Sequence, residues 1–127
     1  MTTDPAPEAA FLAHLAAGRF LLQRDPATGR AVFPPRLRAP GTGAALGPFQ
    51  PVSGRGTIVS VTIQPRRPPA APTIGVLVDL EEGARMLSHL PGADPAAVAI
   101  GAAVQARIVA EGETPMVVFD LVAEAAR

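Results

Sequence analysis

From residue 57 onward, apolar and polar positions alternate in short runs separated by turn residues. In Thr57-Ile58-Val59-Ser60-Val61-Thr62-Ile63-Gln64 the period of two places Thr57, Val59, Val61 and Ile63 on one side. Ser60, Thr62 and Gln64 fall opposite, on a face expected to be wet. Pro65 to Pro72 holds four prolines and breaks the pattern into a loop. Thr73–Leu80 reads as a second strand and Ala84–Leu90 as a third, joined through Glu81-Glu82-Gly83, where glycine supplies a positive φ. Asp94-Pro95-Ala96-Ala97-Val98 reads as one capped helical turn. Val104–Ala110 and Met116–Val122 complete the series around the Glu111-Gly112-Glu113 turn.

Before residue 57 the pattern changes. Glu8 to Ala17 predicts a short helix, with an apolar stripe of Phe11, Leu12 and Leu15, a start at Asp4-Pro5 and a stop at Gly18. A helix of this length is marginal alone, so the stripe needs something to pack on. Phe20–Gln23 and Ala31–Phe33 flank the turn sequence Asp25-Pro26-Ala27-Thr28-Gly29 and predict a small hairpin. Residues 34–56 contain five prolines and five glycines, which excludes a regular element across most of that span. Five strands with a helical turn between the third and fourth is the layout of an OB-type barrel. The expected fold is therefore mainly β, but such a barrel hosts many unrelated functions.

Charge is balanced overall and uneven along the chain. Residues 19–67 carry eight arginines against one acid, Asp25, a local +7, while residues 68–127 carry −5 and residues 1–18 carry −2. Every basic residue is arginine, whose planar fork suits phosphate or carboxylate. The bland alternative is a composition bias that merely solvates loops. The absence of cysteine excludes disulfides, thiolate metal sites and thiol nucleophiles. No stretch approaches the length of a membrane span, and the start lacks the basic region of a signal peptide, so a cytoplasmic location is expected.

The catalytic inventory is thin. His14 and His89 are read as surface or half-buried histidines, not general bases, and Glu81 and Glu82 as solvated turn acids. Asp79, within an apolar strand, is the one acid expected to risk burial, tying down the turn before Gly83. Ser53-Gly54-Arg55-Gly56 lacks the Lys-Ser/Thr of a phosphate-binding P-loop and precedes a strand. Its glycines are read as turning the backbone into the first barrel strand, with Arg55 exposed.

Several strings in order, Phe33-Pro34-Pro35-Arg36, Ser53-Gly54-Arg55-Gly56-Thr57-Ile58, Val78-Asp79-Leu80-Glu81-Glu82-Gly83 and Ile100-Gly101 ahead of Val104, resemble one family. These are the acyl-CoA-associated proteins with an N-terminal helix, a rubredoxin-like zinc ribbon and a C-terminal OB-fold, known as domain of unknown function 35. The resemblance implies three parts: a helix over 1–18, a ribbon over 19–49 and an OB-fold over 50–127. The family's two cysteine knuckles are here Asp25-Pro26-Ala27-Thr28-Gly29 and Ala39-Pro40-Gly41-Thr42-Gly43, with Asp, Thr, Ala and Thr at the four sulfur positions. A structural zinc needs four N, S or O ligands, so no metal and no other cofactor is expected. The ribbon must then be held by its turns and by packing of Phe20, Leu22, Val32 and Phe33 on a neighbour. Arg19 to Phe49 is accordingly the stretch expected to depend most on a partner for order.

The same resemblance implies a non-catalytic accessory subunit of a thiolase-like enzyme or a hot-dog-fold hydratase acting on acyl-CoA. Coenzyme A is rich in phosphate. Charge clustering therefore singles out Arg36, Arg38 and Arg55 as phosphate contacts, followed by Arg66 and Arg67 in the proline-rich loop. The alternative is an OB-fold that binds single-stranded nucleic acid, which requires a basic groove with aromatic stacking platforms. Trp and Tyr are absent and the five Phe fall on segments that read as packing faces.

Overall fold

The structure is a computed structural model that describes residues 6–39, 41, 43–112 and 114–122. The helix α1 (Pro7–Ala16) precedes a small sheet of β1 (Leu21–Arg24), β2 (Ala31–Val32) and β3 (Phe49–Pro51), in the order β2-β1-β3. A second sheet contains β4 (Arg55–Gln64), β5 (Thr73–Leu80), β6 (Arg85–His89), β7 (Ala103–Glu111) and β8 (Thr114–Leu121). Its order is β6-β5-β4-β7-β8, and every pairing is antiparallel. The end strands β6 and β8 meet where the Ser88 hydroxyl donates to the Val117 carbonyl at 2.7 Å. The result is a nearly closed five-stranded barrel, the OB-type architecture that the spacing of strands predicts. Between β6 and β7 the expected capped turn is a 3₁₀ turn, Pro95–Ala97, with the Asp94 carboxylate accepting from the Ala96 N–H at 3.0 Å.

Strand β5 alternates as strict pleating requires, burying Ile74, Val76, Val78 and Leu80. Strand β4 corrects the expected alternation. Ile58, placed by period two among the wet positions, is 1% exposed, and Thr57 on the supposed apolar side is exposed, whereas Val61 and Ile63 face inward opposite Val76 and Ile74 as expected. The cause is a β-bulge: Ile58 pairs with Val78 but Ser60 pairs with Leu77, leaving Val59 as the extra residue that reverses the phase. Asp79 is a second correction. It faces outward between buried Val78 and Leu80, and its carboxylate pairs across the hairpin with Arg85. It fastens the hairpin, and does so from the solvent side.

Helix α1 ends in a Schellman motif: Arg19 N–H donates to His14 O, Gly18 N–H to Leu15 O, and Gly18 has φ +83°. The predicted start at Asp4-Pro5 lies outside the described residues. Phe11 and Leu15 are buried and Leu12 is half-buried, as the stripe requires. Their partners include the ribbon, since the Phe11 ring lies edge-on to Phe33 (5.7 Å) and Phe20 (6.5 Å). One contiguous core joins Phe11, Leu15, Leu22 and Ala31 to barrel residues such as Ile58, Val76, Val78, Val104 and Phe119. Residues 34–56 are irregular over most of their length, yet they return β3 to pair with β1. Among the described residues, no helix is long and apolar enough to cross a membrane.

Candidate functional site

The ribbon carries the unexplained chemistry, and its local hydrogen bonds show what holds it. At the first knuckle, Gly29 N–H and Thr28 N–H converge on the Asp25 carbonyl at 2.7 and 3.2 Å. The buried Asp25 side chain accepts from Ala27 N–H at 2.9 Å, an Asx turn, and the Thr28 hydroxyl accepts from Arg30 N–H at 3.2 Å. At the second knuckle, Ala39 N–H donates to Ala44 O at 2.8 Å, Gly43 N–H to Ala39 O at 3.0 Å, and Arg38 bridges to Ala45. Pro40 and Thr42 lie outside the described residues.

A metal does not fit this arrangement. The Asp25 carboxylate already caps its own turn, the Thr28 hydroxyl is engaged with backbone, and Ala39 offers a buried methyl. No three His, Cys, Asp or Glu side chains gather to form a metal site among the described residues. A side chain that sequence reasoning passed over takes up part of the task. Gln23, 8% exposed, donates from Nε2 to Arg36 O at 2.7 Å and accepts at Oε1 from Arg36 N–H at 2.8 Å. The amide thus ties the first hairpin to the segment that leads into the second knuckle. The one available signal was a lone amide inside the apolar run Phe20-Leu21-Leu22-Gln23.

The ribbon is seated on the barrel through the β5–β6 turn. Ala31 N–H donates to Glu82 O at 2.9 Å, Arg30 Nη2 to Gly83 O at 3.3 Å, and Ser53 N–H to Glu82 Oε2 at 2.7 Å. The other Glu82 oxygen is buried without a partner among the described residues, as is Arg24 Nε. Glu82 is therefore a junction residue, unlike the solvated turn acid expected of it. Glu81 lies outside, accepting from Arg55 Nε at 3.1 Å and from the Ser53 hydroxyl at 3.0 Å. Those two donors, Arg55 foremost, hold its carboxyl below the usual range. The Ser53-Gly54-Arg55-Gly56 string acts as read: Gly54 takes φ +79°, and a side chain on Gly56 would meet Val78 Cγ1 at 2.5 Å and Asp79 O at 2.8 Å.

The five candidate arginines do not form one cluster. Arg36 and Arg38 sit on the ribbon, both exposed, with Arg38 Nη1 donating to Gly43 O at 3.2 Å. Arg55 opens β4, while Arg66 and Arg67 follow its far end, so a ten-residue strand separates the two groups. Arg66 reaches Thr73 Oγ1 at 3.5 Å. The barrel arginines Arg55, Arg85 and Arg107 are paired with Glu81, Asp79 and Asp120. Among the described residues, Arg36, Arg38, Arg66 and Arg67 have no carboxylate partner. His14 and His89 are half-buried, and the His14 ring lies 5.2 Å from that of Phe49.

A barrel of OB type with a cysteine-free ribbon seated on its β5–β6 turn defines the class. Residues 12–39 match the family described as the ChsH2 rubredoxin-like zinc ribbon domain, and residues 49–109 match the ChsH2 C-terminal OB-fold domain. The chain belongs to this ribbon and OB-fold family, as a member in which the zinc cysteines are lost. It is 50% identical over 60 residues to the 3-oxo-4,17-pregnadiene-20-carboxyl-CoA hydratase alpha subunit of Mycobacterium tuberculosis (strain ATCC 25618 / H37Rv). That stretch is 45% of this chain and only 19% of the relative's length. Among solved structures, the fold resembles a chain of the Ltp2-ChsH2(DUF35) aldolase, with TM-score 0.75, 24% identity and coverage of 95% of this chain and 98% of that one. It also resembles a DUF35-family protein of unknown function from Sulfolobus solfataricus, with TM-score 0.61, 18% identity and coverage of 80% and 75%.

Proposed function

We propose that this chain is a non-catalytic accessory subunit that docks on an acyl-CoA-processing enzyme, of thiolase-like or hot-dog hydratase type, and contacts the CoA moiety. The observation that carries the reading is the division of the arginines. The barrel neutralises Arg55, Arg85 and Arg107 internally, whereas Arg36, Arg38, Arg66 and Arg67 on the ribbon and the β4–β5 loop have no carboxylate partner among the described residues. Exposed guanidiniums without carboxylates are free to pair with phosphate or with an acidic protein surface. Arg36 and Arg38 therefore lead the proposed contacts, with Arg66 and Arg67 next. Arg55 joins them only by giving up Glu81. The three-part division into helix, ribbon and barrel belongs to the same proposal, with the ribbon as the docking element. The relatives' names, a CoA hydratase subunit and an aldolase assembly containing a DUF35 chain, support this direction.

Co-purification from the native host tests docking, and titration with CoA esters tests the contact. Alanine at all five arginines is expected to weaken CoA-ester affinity or assembly; unchanged values for both would refute the assignment. Single-stranded nucleic acid is a poorer fit. Phe11 and Phe119 are buried and Phe20, Phe33 and Phe49 pack against the core, so no Phe is left as a stacking platform. Gel-shift titration with single-stranded DNA is expected to show no stable complex.

A further inference from the structure

Two hollows lie side by side along the exit of β6, and their chemistries are complementary. The first, about 400 Å³, opens between α1 and the seam where β6 meets β8. Phe11, Leu12, Phe33, Met86, Leu87 and Met116 supply most of its wall, and no Asp, Glu or Arg lines it among the described residues. The second, about 390 Å³, is lined by Arg66, Thr73 and Gly92 among others. His89 lines both, so the apolar hollow and the one that bears a cation adjoin at this residue.

Each hollow has the size of a small-molecule site. The apolar one holds two methionines, whose unbranched side chains adapt to varied hydrocarbon shapes. Leu87 is 74% exposed on its wall, an apolar surface that water covers at a cost. Arg66 has no carboxylate partner among the described residues, and its Nη1 donates to the Thr73 hydroxyl at 3.5 Å. A ligand spanning both must carry an uncharged hydrocarbon at one end and an anion at the other.

We infer that the α1–β6–β8 cleft and the adjoining Arg66 pocket form one bipartite site for an anionic amphiphile. The hydrocarbon tail lies against Leu12, Leu87 and Met116, and the head passes His89 to reach Arg66. The choice of an acyl thioester as the natural amphiphile rests on the accessory-subunit reading above. The site itself rests on the two hollows. A fatty acid carries the same chemistry, with a carboxylate as its head.

Titration calorimetry on the full chain separates the two sources, using CoA, an acyl-CoA series from butanoyl to dodecanoyl, and free dodecanoate. Acyl-CoA affinity is expected to rise with tail length, by at most about fourfold per methylene, until the cleft is filled. Leu87→Asp, at an exposed position where folding is checked by the thermal midpoint, is expected to flatten that rise and weaken dodecanoyl-CoA by about tenfold. Arg66→Gln is expected to weaken every tail length equally and leave the increment intact. Affinity independent of tail length, or an increment untouched by Leu87→Asp, overturns the site, as does a lack of binding by any amphiphile. Dodecanoate binding as tightly as its CoA ester, with the same dependence on Arg66, leaves the site standing and defeats the CoA reading. CoA binding without a tail increment does the reverse.

Discussion

Gln23 joins two segments through a single side chain. Its amide satisfies both backbone groups of Arg36 from a buried position, so Gln23→Ala strands a donor and an acceptor in the ribbon. Each group left unsatisfied costs about 1–3 kcal/mol. A loss of about that size is expected in urea denaturation, with Gln23→Glu also destabilising because the donor is gone. Charged residues act more weakly. Asp79, Glu81 and Asp120 are held below the usual carboxylate range by hydrogen bonds from Arg85, Arg55 and Arg107 respectively. A depressed folded-state value contributes stability that is present above the unfolded value and lost as pH falls through the folded one. Stability is thus expected to be level from neutrality down to the ordinary carboxylate range, then to fall through and below it. The fall should be shallow, because the pairs are exposed and screened by salt. Urea midpoints in descending pH buffers check both the sign and the shallowness, and Arg85→Gln should make the fall shallower still.

At the scale of elements, the ribbon is two regions with different anchoring. Strands β1 and β2 bury Leu22, Ala31 and Val32, and the first two of these belong to the common core. Among the described residues of 34–48 there is no strand, and this stretch is tied by the Gln23 amide, the Arg38–Ala45 bridge and the Gly47 N–H donating to Arg24 O at 2.7 Å. The expected dependence of Arg19 to Phe49 on a partner therefore becomes graded. Hydrogen exchange of the isolated chain should protect β1 and β2 nearly as well as the barrel, while 34–48 exchanges fast. Leu22→Ala should cost about 2–5 kcal/mol, as for a fully buried leucine. The hydrogen-bonded turns of the knuckles use no metal ligand, so purified protein is expected to carry no stoichiometric zinc. Its unfolding midpoint should be unmoved by EDTA. Elemental analysis and a chelator melt check both.

At the scale of the whole molecule, a shared core joins helix, ribbon and barrel, and hydrogen bonds at the β5–β6 turn seat the ribbon on the barrel through Glu82 and Gly83. Glu82→Ala removes the carboxylate that accepts from Ser53 N–H and is expected to raise exchange and proteolysis around Ser53 more than in β4–β5 pairs, loosening that side of the joint while the barrel persists. Little of this was legible beforehand. Strand spacing, turn glycines and the apolar stripe of α1 act locally, through backbone sterics and side-chain period, so the sequence by itself determined the helix, the knuckle turns and the five-stranded barrel. It also determined that the sulfur ligands are gone. The phase of β4 was not readable, because a bulge depends on pairing with β5. Nor was the outward turn of Asp79, which follows from strand register. Glu82's bond to Ser53 and Gln23's clamp arise between residues far apart in the chain, as does the adjacency of the apolar cleft to the Arg66 hollow. The metal-site turns were written locally, and their replacement supports were written only in three dimensions. Long-range hydrogen bonds and shared surfaces leave no period or spacing in a sequence, so only the tertiary structure decided them.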